Sequence, residues 1–143
     1  MGSNKLYITI PGVPITKLRP RFTRFKGKVR TYDAQCDEKE TVAWQMKARM
    51  KGRQLIEQPI ELAIVFHMPI PKHTSGKQRV LMLEGGVRHT KKPDGDNLEK
   101  FYWDCMNGTV YVDDRQVYKW RGEKVYSATP RTEITLEWVD DDK

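Results

Sequence analysis

Apolar and polar positions alternate at the start of the chain. Leu6, Ile8 and Ile10 fall on one side of residues 5–10, and Tyr7 and Thr9 on the other. That period of two predicts a strand with one buried face, ended by Pro11-Gly12. The pattern returns at Ile60, Leu62, Ile64 and Phe66, predicting a central strand over 60–68 that stops at Pro69 and Pro71. Residues 33–51 contain neither Gly nor Pro, and Val42, Met46 and Met50 recur every fourth position. They predict a helix with a core stripe that stops at Gly52.

A second helix is predicted from Asp96 to Asn107-Gly108. Wound at about 100° per residue, it gathers Leu98, Phe101, Tyr102, Cys105 and Met106 on one face. Asp96, Asn97, Lys100, Asp104 and Asn107 fall opposite, with Trp103 at the edge, placed either to stack on a nucleic acid or to bury at a dimer contact. A short strand over 110–112 leads into Asp113-Asp114. Strands over 117–126 and 132–139 follow, joined by a turn at Ala128-Thr129-Pro130. The sum is a single α+β domain over 1–143, with one mixed β-sheet, two main helices and an acidic tail over 140–143. At a frayed end, that tail reads as solvated rather than as a site.

Two segments escape this pattern, and charge explains why they matter. Lys17, Arg19, Arg21, Arg24, Lys26, Lys28 and Arg30 occur with no acid among them, interleaved with Phe22, Phe25 and Tyr32. Lys72, Lys77, Arg79, Arg88, Lys91 and Lys92 face only Glu84 in a Pro-, Gly- and Ser-bearing connection. Its apolar run Val80-Leu81-Met82-Leu83 leaves open a short helix or a hairpin arm. The net charge of +7 is therefore concentrated, which suits a polyanion such as DNA, with rings available to stack on bases. The plainer alternatives are a solvated basic surface and a surface loop whose aromatics tuck inward.

Other chemistries find little support. His67, His73 and His89 are scattered without ligand spacing, and Cys36 and Cys105 make neither a zinc site nor a disulfide framework. No apolar run reaches membrane-spanning length, and the N-terminus has no secretory pattern, so a soluble, cytoplasmic protein with no small-molecule cofactor is expected.

The acids are more informative. In an extended segment Asp94 and Asp96 point the same way, Gly95 between them adds no side chain, and Lys100 follows Asp96 by one helical turn. Hard divalent ions prefer such carboxylates, and a lysine beside them could neutralise a phosphate under attack. The structural alternative makes Asp96 and Glu99 a capping box, and Asp94 and Asp113-Asp114 turn residues.

The joined run Asp94-Gly95-Asp96-Asn97-Leu98-Glu99-Lys100, then Asp104, Asn107-Gly108 and Asp113-Asp114-Arg115-Gln116-Val117 resembles the RusA family of Holliday-junction resolvases. The resemblance implies a RusA-like homodimer that needs Mg²⁺, or Mn²⁺ in its place. It would nick four-way DNA junctions symmetrically in recombination and repair, in a bacterial or phage setting. It places metal binding on Asp94, Asp96 and Asp114 and the catalytic lysine on Lys100. Asn97 supports from behind, and Asp113 is the acid adjacent to Asp114. The basic connection 71–92 is long for that family. Two rivals stay open: a less selective nuclease of branched or flap DNA, and a DNA-binding module without catalysis.

Overall fold

The computed structural model describes residues 2–18, 21–25, 28–32 and 35–140, with the backbone alone for 21–25 and 28–32. Four strands form the main sheet in the order β1 (Ser3–Pro11), β6 (Arg131–Val139), β4 (Ile60–Pro69), β5 (Val117–Ser127). β6 is antiparallel to both β1 and β4, whereas β4 and β5 run parallel. A parallel pair needs a crossover. Here it runs over 70–116 and carries α2 (Gly76–Leu83), α3 (Gly95–Met106) and the 3₁₀ turn η1 (Asp114–Gln116). The second basic segment and every predicted catalytic residue lie in this one connection.

The sheet buries one face. Leu6, Ile8, Ile10, Ile60, Leu62, Ile64, Phe66, Ile134 and Leu136 point into the core, under α1 (Cys36–Met50) and α3. As predicted, α1 buries Val42, Met46 and Met50, and it stops where Lys51 and Gly52 take positive φ. The core face of α3 is the predicted one: Leu98, Phe101, Tyr102, Cys105 and Met106 are its buried residues. Phe101 is fully buried and meets Tyr102 edge-on at 5.1 Å. Phe101→Ala is expected to cost about 3–5 kcal/mol, as a cavity opens that rigid sheet and helix cannot close. Urea unfolding measures it.

Several expectations need correction. The first basic segment is not a loop: β2 (Arg21–Phe25) and β3 (Lys28–Tyr32) pair antiparallel as a separate two-stranded sheet. Residues 110–112 form no sheet strand. Tyr111 makes only isolated bridges, to Ile56 and Asn107, because the chain must turn straight back into η1. The two main helices are α1 and α3, and of the alternatives left open for 80–83 the short helix is the one formed: α2, capped by the Ser75 hydroxyl, which accepts from Gln78 N. Finally, α3 starts at Gly95, so Asp94 takes the flanking position and Asp96 lies inside the first turn. The capping box that the structural alternative placed at Asp96 and Glu99 is absent. One occurs instead at Asp113 and Gln116.

Candidate nuclease site along α3

Helix α3 lies on β5 with its polar side outward, and β5 is shaped to receive it. Trp103 is partly buried on the core and meets Trp120 edge-on at 5.7 Å. Within the chain Trp103 therefore packs on β5, with Trp120 the more exposed member of the pair. Farther along β5, Gly122 accommodates the Glu99 carboxyl group; a methyl on Gly122 would overlap Glu99 Oε1. Burial, and then the charge of Asp96, push the Glu99 carboxyl above its usual range.

The polar side of α3 has acids at both ends. At its start, Asp94 and Asp96 are exposed, and Asp94 makes no capping hydrogen bond, so its carboxylate is free for other ligands. Lys100, one turn after Asp96, is exposed and makes no ion pair among the described residues. At the far end, Asn107 Oδ1 accepts the Asp114 backbone N–H at 2.8 Å and ties η1 to the helix terminus. Gly108, with φ +72, lets the chain turn away there. The adjacent acids take different roles. Asp113 accepts the Arg115 N–H and is held below its usual pKa, first by that bond and then by Asp114. Asp114 is raised, first by burial, then by Asp113 and Asp104. A carboxyl crowded by other acids is stabilised by an incoming cation.

These two acidic foci do not meet within one chain. From Asp96 to Asn107 the helix rises about 16 Å at about 1.5 Å per residue. Among the described residues, no three His, Cys, Asp or Glu side chains are grouped closely enough to hold a metal. The donor chemistry fits Mg²⁺ or Mn²⁺, which need few protein carboxylates and keep several waters. The expected trio of Asp94, Asp96 and Asp114 is split, with a pair at one end of α3 and the third acid at the other.

The cations divide as well. Lys72, Lys77, Arg79, Arg88, Lys91 and Lys92 are exposed and make no ion pair among the described residues, leaving them open to phosphates. Lys17 differs: its ammonium pairs with Asp104 on α3. Arg19 and Lys26 lie outside the described residues, as do the side chains of Arg21, Arg24, Lys28 and Arg30. The approach to their hairpin is well defined. Residues 15–17 run along α3, with Ile15 N donating to Tyr102 Oη at 2.9 Å and Lys17 N to the Asn97 carbonyl at 3.1 Å. The buried Gln35 side chain clamps both Thr16 O and Leu18 N. The base of the basic hairpin is therefore fastened beside the acid-bearing helix.

Sequence reasoning missed Gln35, the seat of Glu99 on Gly122, and Lys124, whose Nζ donates to the carbonyls of Lys91 and Pro93. Each depends on a contact between distant segments, and none has a local pattern. No helix among the described residues is long and apolar enough to cross a membrane.

The chain is 32% identical over 135 residues to the uncharacterized protein YqaN of Bacillus subtilis (strain 168), covering 92% of this chain and 94% of that one. The family model described as endodeoxyribonuclease RusA matches residues 11–137, a span that includes the basic hairpin, the whole crossover and α3. With the match extending over nearly the full domain, the chain belongs to the RusA family of endodeoxyribonucleases.

Proposed function

We propose that this protein is a Mg²⁺-dependent endodeoxyribonuclease that resolves four-way DNA junctions by paired symmetric nicks during recombination and repair, acting as a homodimer in the cytoplasm. The observation that carries this reading is the exposed, unpaired set Asp94, Asp96 and Lys100 on one helix start, flanked by uncompensated cations. Carboxylates without counter-ions beside free lysines suit a phosphodiester with its metal ion better than they suit any contact within the chain.

In this reading Asp94 and Asp96 hold a divalent ion, and Asp114 completes the donor set from a second copy, since one chain keeps it at the other end of α3. Bound Mg²⁺ would neutralise charge on the scissile phosphate and acidify a coordinated water. Lys100 holds a second positive charge against the phosphate as negative charge builds on it. Asn97, on the same polar side, orients a carboxylate or water from behind. Asp113 remains with Arg115 N and steadies η1 beneath Asp114. Cleavage leaves a 5′-phosphate and a 3′-hydroxyl. Among the described residues β5 is an edge strand of the main sheet and a natural pairing surface, because an edge strand carries unpaired backbone donors and acceptors. A twofold dimer on a twofold junction makes paired nicks geometrically natural.

A cleavage panel of synthetic four-way junction, flap and linear duplex, each with and without Mg²⁺, tests the proposal. The expected result is symmetric nicking of the junction in Mg²⁺ alone, with binding that weakens steeply as salt rises. Equal cutting of flap and junction would identify a less selective nuclease. Junction binding with no cutting in either Mg²⁺ or Mn²⁺ would identify a binding module.

A further inference from the structure

Asp94 and Asp96 follow a long exposed connection, and nothing within α3 fixes Asp94, whose side chain caps no backbone group. The turn before it is held from β5. Trp120, Gly122 and Lys124 succeed one another along the helix-facing row of that strand, in register with the core residues Leu62, Ile64 and Phe66 of β4. The first meets Trp103 and the second lies under Glu99. The third reaches the turn itself: Lys124 Nζ donates to the Lys91 carbonyl at 2.9 Å and to the Pro93 carbonyl at 3.0 Å. Next along the row, the Tyr126 ring packs against His89 at 4.9 Å.

Lys124 is half-buried and forms no ion pair with a carboxylate among the described residues. A charged donor in that position is committed to two main-chain carbonyls, and charge-assisted bonds of this kind are the stronger class. Those carbonyls flank Lys92 and end at the peptide that leads into Asp94. Two bonds from one ammonium fix both the distance and the direction of that peptide.

We infer that Lys124 is the positioning residue of the Asp94–Asp96 pair, setting from β5 the turn that presents both carboxylates. The inference rests on the reading that this pair holds a divalent cation, and it is tested in part without any metal. It assigns Lys124 no contact with DNA, because its ammonium faces the turn. Groups that orient metal ligands from behind commonly change metal affinity by about 10–100-fold when removed.

Two full-length variants make the test: Lys124→Met, which keeps the stem and removes the donors, and Lys124→Arg, which keeps donors. The metal-free measurement is hydrogen exchange of the Leu98 amide, whose bond to the Asp94 carbonyl at 3.1 Å is the first of α3. Lys124→Met is expected to speed that exchange about tenfold, leaving the Phe101 and Tyr102 amides unchanged, with Lys124→Arg close to the parent. The second measurement is Mn²⁺ binding followed by electron paramagnetic resonance, expected to weaken about tenfold in Lys124→Met and to recover in Lys124→Arg. Parental Leu98 exchange in Lys124→Met overturns the inference. So does unchanged Mn²⁺ affinity where the parent binds Mn²⁺. Exchange that rises equally along all of α3 makes Lys124 a general stabiliser and also overturns it. A parent that binds no Mn²⁺ counts against the metal-dependent reading instead, and Leu98 exchange still decides the role of Lys124.

Discussion

Mixing the inactive variants Asp96→Asn and Asp114→Asn is expected to restore junction cleavage that neither shows alone. Helix α3, twelve residues long, keeps Asp94 and Asp96 at one end, while Asn107 holds Asp114 at the other. No compact three-acid group forms among the described residues of one chain. If each site takes its pair from one copy and its third acid from the other, a mixed dimer has one site with both substitutions and one with neither. Random exchange makes half the dimers mixed, so about a quarter of the parental sites are rebuilt. Each variant alone should lose on the order of 10³-fold in cleavage, the scale on which a missing charge-stabilising group shows. Asn keeps the size of Asp and removes its charge, so both variants should fold and bind junctions. Nicking of a labelled junction by either variant and by the mixture after subunit exchange reads the result directly. No recovery in an exchanged mixture would place all three acids in a single-chain site and would require the two ends of α3 to be bridged in some other way.

Lys100→Ala is expected to leave junction binding within about twofold and to lower cleavage by roughly 10²–10³-fold, or about 2.7–4 kcal/mol of transition-state stabilisation. Lys100 is exposed, makes no ion pair among the described residues, and lies one turn beyond Asp96, so its charge is available to the phosphate those carboxylates address. It is one exposed cation among many, and losing it should barely alter the salt dependence of binding. In the proposed site what it alone would supply is positive charge at the scissile group, where charge builds only during reaction. Gel-shift titration in Ca²⁺ beside single-turnover cleavage in Mg²⁺ separates the two effects. If affinity falls in parallel with the rate, Lys100 is an anchoring residue and the catalytic cation must be sought elsewhere.

A cleaner division of labour emerges for the basic segments. Exposed, unpaired Lys77, Arg79 and Arg88 keep the crossover available for phosphates, while Lys17 turns inward to Asp104 and helps dock the hairpin approach on α3. The same residue type is therefore left exposed in one segment and tied into the fold in another, and only its partner tells them apart.

The amino-acid order alone determined everything that depends on a repeating period. The strand at Leu6, Ile8 and Ile10, the α1 stripe of Val42, Met46 and Met50, and the five-residue core face of α3 all follow from apolar spacing, because burial selects one face of a strand or helix. The family was legible in the same way, since Asp94, Asp96, Asn97 and Lys100 are held in one short run. Tertiary structure decided what no period encodes. It turned the first basic segment into a hairpin, moved the capping box from Asp96 to Asp113, and set Asp114 a helix length from Asp94. It also joined Lys124 to the Pro93 carbonyl across thirty-one positions. Such contacts form between surfaces brought together by the sheet, and residues far apart along the chain carry no local sign that they will meet.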